Sequence, residues 1–182
     1  MNGIFLYTIS KDMHKRILIV GDAGRGKSTF AERLSKKTGI PCCSTDDFYW
    51  KVKFTEPRDQ QESVEQIKKI YEKDEWIVDG STRRLIQGGL EKADVIYHLT
   101  FPSILPQYYF LTTRYFKRKN EKITALFKML RHVTYKKYKR GYGAHLPPLR
   151  DILKPYAYKV ITLTSMREIN KCIDSINSDL RK

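Results

Sequence analysis

The sequence predicts an α/β protein in which a parallel sheet lies between two layers of helices, a three-layer α/β/α arrangement. Two observations lead to this prediction. Short apolar runs rich in β-branched residues alternate along the chain with longer segments of helical periodicity, and no repeat or flexible linker divides the 182 residues. Strands that alternate with crossover helices form parallel sheets buried on both faces. We therefore expect a single domain over residues 1–182.

Five segments have the composition of buried strands, at residues 17–20, 40–44, 76–80, 94–101 and 158–163. A helix is expected after the first strand, because Phe30, Ala31 and Leu34 fall on one helical face. Gly39 follows this face and suits the end of the helix.

Helical patterns fill most of the remaining chain. Pro57 is placed for the start of a helix, and Ser165 and Glu168 form a capping box at the start of the last helix. Residues from about 103 to 150 have helical periodicity as well, so we expect them to form an insertion between the fourth and fifth strands.

Composition excludes several classes of protein. The chain has no apolar run long enough to cross a membrane. The apolar run at residues 3–7 is too short for a secretory signal, so we interpret residues 1–13 as an N-terminal extension. Cys42, Cys43 and Cys172 form neither a CxxC pair nor a cluster at metal-ligand spacing. These features predict a cytoplasmic protein with reduced cysteines. They leave open whether it is a monomer or a homodimer.

The net charge of +15 is concentrated in one block. Between Arg114 and Arg140 the chain has eleven Lys or Arg residues and one acidic residue, Glu121. Three interpretations stay open: a solvated helical face, an electropositive lid over substrate phosphates, and a nucleic-acid surface. Tyrosines interleaved with the cations, such as Tyr135 and Tyr138, would offer stacking platforms to nucleic acid.

The most specific motif lies in the stretch RILIVGDAGRGKSTFAERLSKKTG at residues 16–39. Gly21, four further residues and then Gly26-Lys27-Ser28 match the phosphate-binding pattern G-x-x-x-x-G-K-[ST] at every fixed position. Glycines in this pattern let consecutive backbone N–H groups turn toward a phosphate, and the following helix directs its positive end to the same place. The predicted nucleotide-binding residues are Gly21, Ala23, Gly24, Arg25, Gly26, Lys27, Ser28 and Thr29.

Polar side chains of this motif suit specific parts of a nucleotide. Lys27 can reach the β- and γ-phosphates, and the hydroxyl of Ser28 is suited to ligating Mg²⁺. Thr29 either contacts the α-phosphate or bonds the backbone of its own helical turn.

Acidic residues follow two of the predicted strands, at the sheet edge where ligands of parallel sheets gather. Asp46 either has a function, in which it accepts a proton from a substrate hydroxyl or holds a metal-bound water, or it stabilises a turn, and the same two interpretations hold for Asp47. Asp79 ends an apolar strand, where a carboxylate can hold Mg²⁺ through water. The guanine-recognition signal Asn-Lys-x-Asp is incomplete, because Ile173 stands where Asp is required, which argues against a GTPase switch.

These pieces resemble the small P-loop kinases related to adenylate and shikimate kinases, and within them the adenylate-kinase-like proteins often labelled topology modulation protein. The resemblance rests on the glycine loop together with STDDFYW (residues 44–50), WIVDG (residues 76–80), ADVIYHLTFP (residues 93–102) and VITLTSMREI (residues 160–169). Two departures stand out: DGST at residues 79–82 where many relatives have DGNY, and a lid rich in lysine and tyrosine rather than arginine.

The resemblance implies a P-loop NTPase fold with sheet order 2-3-1-4-5, a mobile lid between strands 4 and 5, and ATP as the nucleotide. It also implies that residues 46–50 face the phosphoryl acceptor. Lid arginines clamp the transferring group in such kinases, which suggests Arg114 and Arg118, with Arg131 and Arg140 as further candidates.

The function expected from these observations is an ATP- and Mg²⁺-dependent kinase that acts on a small hydroxyl or phosphate acceptor. In this hypothesis Lys27, Asp46, Arg114 and Arg118 are catalytic, and Ser28 and Asp79 hold the metal. Two alternatives stay open: a nucleic-acid-binding ATPase or nucleic-acid end kinase that uses residues 114–140, and a nucleotide-binding regulator without turnover.

Overall fold

The computed structural model describes residues 14–52, 56–117, 123–138 and 147–178. The predicted N-terminal extension (residues 1–13) lies outside these ranges. In chain order the elements are β1 (Arg16–Gly21), α1 (Lys27–Thr38), β2 (Cys42–Ser44), α2 (Thr45–Tyr49), β3 (Trp50–Val52), β4 (Glu56–Pro57), α3 (Gln60–Tyr71), β5 (Trp76–Gly80), α4 (Arg83–Lys92), β6 (Val95–Leu99), α5 (Ile104–Lys117), α6 (Ile123–Tyr138), α7 (Leu149–Leu153), a 3-10 helix (Lys154–Lys159), β7 (Val160–Leu163) and α8 (Met166–Ser178).

Five of the strands form one parallel sheet in the order β2-β5-β1-β6-β7. Counted among these five strands alone, the order is 2-3-1-4-5, as the resemblance implies. The strand β1 lies at the centre and pairs with β5 on one side and β6 on the other. The predicted α/β fold is therefore confirmed, and the carboxyl ends of β1, β2 and β5 meet at one edge.

Alternate residues of β1 point to opposite faces of the sheet, and each face has its own apolar core. Ile17 and Ile19 pack with residues of α1 and α8, whereas Leu18 and Val20 pack with residues of α3 and α4. All four side chains are at most 2% exposed. Helices cover both faces because β1 is apolar at every buried position, without the alternation of a half-exposed strand.

The structure corrects the predicted start of the second helix. Pro57 does not start a helix; it lies in β4, which pairs with β3 in an antiparallel hairpin outside the main sheet. The helix α3 begins at Gln60, because the carboxylate of Asp59 accepts hydrogen bonds from the N–H groups of Gln61 (2.9 Å) and Glu62 (3.1 Å).

Other predicted helix boundaries are confirmed. The helix α1 begins at Lys27 and ends at Thr38, and Gly39, whose φ is 77°, caps its end. The hydroxyl of Ser165 accepts from the N–H of Glu168 (3.1 Å), and the Glu168 carboxylate accepts from the N–H of Ser165 (3.2 Å). This is the predicted capping box. The predicted insertion between the fourth and fifth strands of the sheet contains α5 and α6.

Candidate active site

The phosphate-binding motif forms a loop between β1 and α1. Gly21, Gly24 and Gly26 all have positive φ, the backbone region that side chains other than glycine rarely adopt. Gly21 also has no room for a side chain, because a Cβ there would lie 1.9 Å from the carbonyl oxygen of Leu99 in β6. The loop can therefore follow this path only with glycine at Gly21.

Lys27 is the first residue of α1, and its side chain folds back over the loop. Its Nζ donates to the carbonyl oxygen of Asp22 at 2.9 Å. The ammonium group therefore lies over the same loop that the helix start faces, so two sources of positive potential coincide there. Thr29, two residues further along α1, is exposed, and no described hydrogen bond commits its hydroxyl to the backbone.

Ser28 and Asp79 meet at the edge of the sheet. The Ser28 hydroxyl donates to Oδ2 of Asp79 at 2.9 Å, and Asp79 is 5% exposed. Burial raises the pKa of the Asp79 carboxyl above its usual range, although the Ser28 hydrogen bond and the charge of Lys27 oppose this shift. A hydroxyl and a carboxylate oxygen are the ligand types that Mg²⁺ prefers, so the pair fits the metal role that the sequence suggests.

The short helix α2 carries the two aspartates that follow β2. Ser44 caps this helix: its hydroxyl accepts from the N–H of Asp46 at 3.3 Å, and its own N–H donates to Oδ2 of Asp47 at 3.2 Å. Asp47 thus has a capping function, one of the two interpretations the sequence left open. The Asp46 carboxylate takes no part in this capping box.

A cavity of about 1140 Å³ connects these groups. Its wall includes nine of the predicted site residues. These nine are Ala23, Gly24, Gly26, Lys27, Ser28, Thr29, Asp46, Asp79 and Arg114. Gly21 ends β1 and does not contribute to this wall. The folded chain therefore brings the phosphate loop, the metal candidates, the candidate base and one lid arginine to one space.

Arg25 has a different environment from the rest of the loop. Its side chain is 4% exposed, its guanidinium lies 4.6 Å from the ring centre of Phe101, and Nε and one Nη have no hydrogen-bond partner. Burial lowers the pKa of this guanidinium. Arg25 borders a second, smaller cavity of about 140 Å³, together with Arg33, Phe110 and Met166. The sequence motif predicted only a backbone role at this position.

The lid residues are only partly described. Arg114 in α5 lines the large cavity, whereas Arg118 and Arg140 lie outside the described residues. Arg131 in α6 is exposed and does not line that cavity; its guanidinium lies 5.5 Å from the ring centre of Tyr135. The helices α5 and α6 contain no acidic residue, and a lid formed by the basic block stays a prediction, as does a solvated helical face. A nucleic-acid surface at this place stays a prediction.

Several hydrogen bonds join the phosphate loop to the start of the lid. Oδ2 of Asp22 accepts from the hydroxyl of Thr100 (2.8 Å) and the N–H of Phe101 (2.9 Å). Gln107 in α5, which is 3% exposed, donates from Nε2 to the carbonyl oxygen of Ala23 at 3.1 Å. The sequence contained no signal for Gln107, because a glutamine in a helix is ordinary and its partner is a backbone atom.

Within the described residues, no group of His, Cys, Asp and Glu side chains is arranged as a metal site made of protein ligands alone. No helix in the described ranges is both long enough and apolar enough to cross a membrane. Burial raises the pKa of the Cys43 thiol to about 12, so this cysteine is not a thiolate at neutral pH.

Comparisons with known proteins bear on the fold. No protein-family model matches the chain. Over 79 residues, which are 43% of the chain and 38% of the relative, it is 33% identical to the adenylate kinase of Clavibacter michiganensis subsp. michiganensis. The matched segments cover less than half the length of the curated adenylate kinases, between 34% and 49%.

Solved structures give the fold. The shikimate kinase of Bacteroides thetaiotaomicron matches with a TM-score of 0.52 at 12% identity, over 93% of this chain and 99% of that one. A gluconokinase from Sinorhizobium meliloti 1021 matches with a TM-score of 0.51 at 12% identity, over 93% of each chain. The chain therefore has the fold of the small P-loop kinases related to adenylate and shikimate kinases, as its motifs indicate.

Proposed function

We propose that the protein is an ATP- and Mg²⁺-dependent phosphotransferase that moves the γ-phosphoryl group of ATP to a small acceptor. One observation supports this proposal most: a single cavity is lined by Lys27, by the hydrogen-bonded pair Ser28 and Asp79, by Asp46 and by Arg114. A cation over a phosphate loop, a metal pair, a carboxylate and a lid arginine are the groups that phosphoryl transfer uses.

Each group has a role that follows from its chemistry. The loop N–H groups and Lys27 would bind the β- and γ-phosphates, and Arg114 would stabilise charge on the transferring group. Ser28 and Asp79 would hold Mg²⁺, which when bound neutralises phosphate charge. Asp46 would orient the acceptor and take its proton.

The smaller cavity would hold the base of the nucleotide. It adjoins the large cavity, because Gly24, Gly26 and Thr29 line both. Its volume of about 140 Å³ suits one flat ring rather than a whole nucleotide. Arg25 and Phe110 are suited to this role, because guanidinium groups and aromatic rings both stack on flat ring systems.

The test is a panel of acceptors incubated with ATP and Mg²⁺, with products identified by mass spectrometry. The panel contains nucleosides, nucleoside monophosphates, small hydroxyl compounds and 5′-hydroxyl oligonucleotides. We expect ADP release that depends on an acceptor and is lost in Lys27→Ala. Lys36→Ala, an exposed lysine on the same helix, is the matched control and should retain activity. ATP binding without acceptor-dependent ADP release for any compound would contradict the proposal.

A further inference from the structure

The wall of the small cavity includes a buried arginine with unused hydrogen-bond donors. Arg25 is 4% exposed, and its Nε and Nη2 have no hydrogen-bond partner. We infer that Arg25 recognises the base of the nucleotide through N7 and O6 of a 6-oxopurine. The nucleotide site then binds GTP and ITP more tightly than ATP. This inference rests on the proposed function, in which the small cavity holds the base.

The carboxylates near Arg25 accept hydrogen bonds from other groups. The charges of Glu168 and Asp22 oppose the lowering of the Arg25 pKa by burial, yet neither carboxylate accepts from Nε or Nη2. The Glu168 carboxylate accepts from the N–H groups of Thr164 (2.6 Å) and Ser165 (3.2 Å). Oδ2 of Asp22 accepts from the start of the lid. Because buried N–H groups without an acceptor are costly, a bound molecule that offers Arg25 two acceptors gains affinity.

The aromatic contact of Arg25 leaves its donors free. The guanidinium lies over the ring of Phe101, 4.6 Å from the ring centre. The N–H bonds of a guanidinium lie in its own plane, so a ring on its face does not use them. Phe110 lines the same cavity, and its ring centre is 5.6 Å from that of Phe101. In the inferred complex the base stacks on Phe110 and presents its edge to Arg25.

The edge of a 6-oxopurine matches a group that only donates. Guanine and hypoxanthine carry two adjacent acceptors, N7 and O6, and arginine binds this pair with two hydrogen bonds. Adenine has an amino donor in place of O6, so a guanidinium that bonds its N7 sets one N–H group against another. Cytosine also has two adjacent acceptors, N3 and O2, but its single ring covers less of Phe110 than a purine does.

The other described side chains of the cavity wall agree with this preference. Phe30, Met166 and Ile169 are apolar. Arg33 supplies donors only, and its Nη1 already donates to Oδ1 of Asn170 at 2.8 Å. A site whose buried donors pair with one ligand discriminates against an analogue that leaves them unpaired.

The experiment measures nucleotide affinity by titration calorimetry, with Mg²⁺ and without an acceptor. The probes are ATP, GTP, ITP, CTP and 7-deaza-GTP, which lacks N7. We expect the Kd of GTP to be about 5- to 150-fold below that of ATP, the discrimination that one bidentate arginine contact gives. ITP lacks only the amino group at C2 and should bind within about threefold of GTP, whereas 7-deaza-GTP should lose most of the advantage.

Variants of Arg25 test its part in this preference. Arg25→Gln replaces two donors with one donor and one acceptor, the pair that suits N6 and N7 of adenine. It should raise the Kd of GTP by about 5- to 150-fold, so that ATP binds at least as tightly as GTP. Arg25→Lys keeps the charge without the planar pair of donors and should also lose the preference. Arg167→Gln, an exposed arginine outside the described cavity wall, is the matched control and should keep the ratio of the two Kd values within about twofold.

The outcomes separate this inference from the proposed function. Tighter binding of ATP or CTP than of GTP by the wild-type protein would overturn the inference and leave the phosphotransferase proposal intact. Equal binding of GTP and 7-deaza-GTP would also overturn it, and this comparison needs no variant to fold. If GTP binds more tightly than ATP but no acceptor receives a phosphoryl group from either, the inference holds and the proposed function is wrong. If no nucleotide binds, both are wrong.

Discussion

Gly80 ends β5 beneath α2, and its replacement by alanine tests whether this contact positions Asp46. An added Cβ would lie 1.8 Å from Oγ1 of Thr45, 2.5 Å from its Cγ2 and 2.6 Å from its Cβ. Thr45 is 0% exposed and is the first residue of α2, so its movement displaces the helix. We expect Gly80→Ala to cost about 1–3 kcal/mol of stability, the usual cost of overpacking. A shift of about 1 Å at Asp46 should lower kcat by about 100-fold.

The assay combines urea unfolding, kcat with the preferred acceptor, and ATP affinity. Gly88→Ala in α4 is the matched control: a Cβ there would approach Cδ2 of Tyr71 only to 3.3 Å, so stability should change by less than about 1 kcal/mol. Adding Thr45→Gly to Gly80→Ala removes all three clashing atoms and should restore part of both losses. Wild-type stability and kcat in Gly80→Ala would refute the reasoning, and so would losses that Thr45→Gly does not relieve.

Three further predictions concern single groups. Asp79→Asn should weaken Mg²⁺-dependent ATP binding. Because the pKa of Asp79 is raised, wild-type binding should also weaken as the pH falls toward that pKa. Titrations at several pH values should show this dependence in the wild-type protein and not in the variant. Asp94→Asn removes a carboxylate 2.7 Å from the Arg16 guanidinium. The substitution should cost about 1–2 kcal/mol at pH 7 in urea unfolding. The cost stays this small because the Arg16 side chain is 43% exposed and solvent screens its charge. Burial alone would raise the pKa of Asp94, but its hydrogen bonds from Arg16 outweigh this and hold it low, so this stability is present above about pH 4 and is lost as the pH falls through the folded pKa. Gln107→Leu removes the side-chain donor to the part-buried carbonyl of Ala23 and should cost about 1–3 kcal/mol in urea unfolding and weaken ATP binding in calorimetry.

The phosphate loop was predictable because its requirements are local. A strand, a glycine pattern, a lysine and a helix start follow one another within residues 16–39, and each has a physical reason that holds whatever packs around it. Asp79 and Asp46 were predictable for a related reason: strand ends in a parallel sheet meet at one edge, so residues that follow different strands become neighbours.

Contacts between distant residues were not predictable in this way. The position of Arg25 depends on Phe101, and the role of Gln107 depends on a backbone carbonyl 84 positions away. The periodicity of a sequence indicates which face of a helix is apolar, but it does not indicate which element packs against that face. The hairpin of β3 and β4 was missed because each strand has only two or three residues, too few to show a period.

The hydrogen bonds between the phosphate loop and the lid also determine when during synthesis the nucleotide site can exist. Asp22 needs Thr100, and Ala23 needs Gln107, and these pairs are separated by 78 and 84 positions in the chain. A nascent chain that ends before Gln107 contains the whole glycine motif but lacks the groups that fix its shape. Long-range pairing of this kind is a slow step in folding. A nascent chain on the ribosome would therefore begin to bind nucleotide only after Gln107 has been added. Such binding would show that the central strands have already assembled.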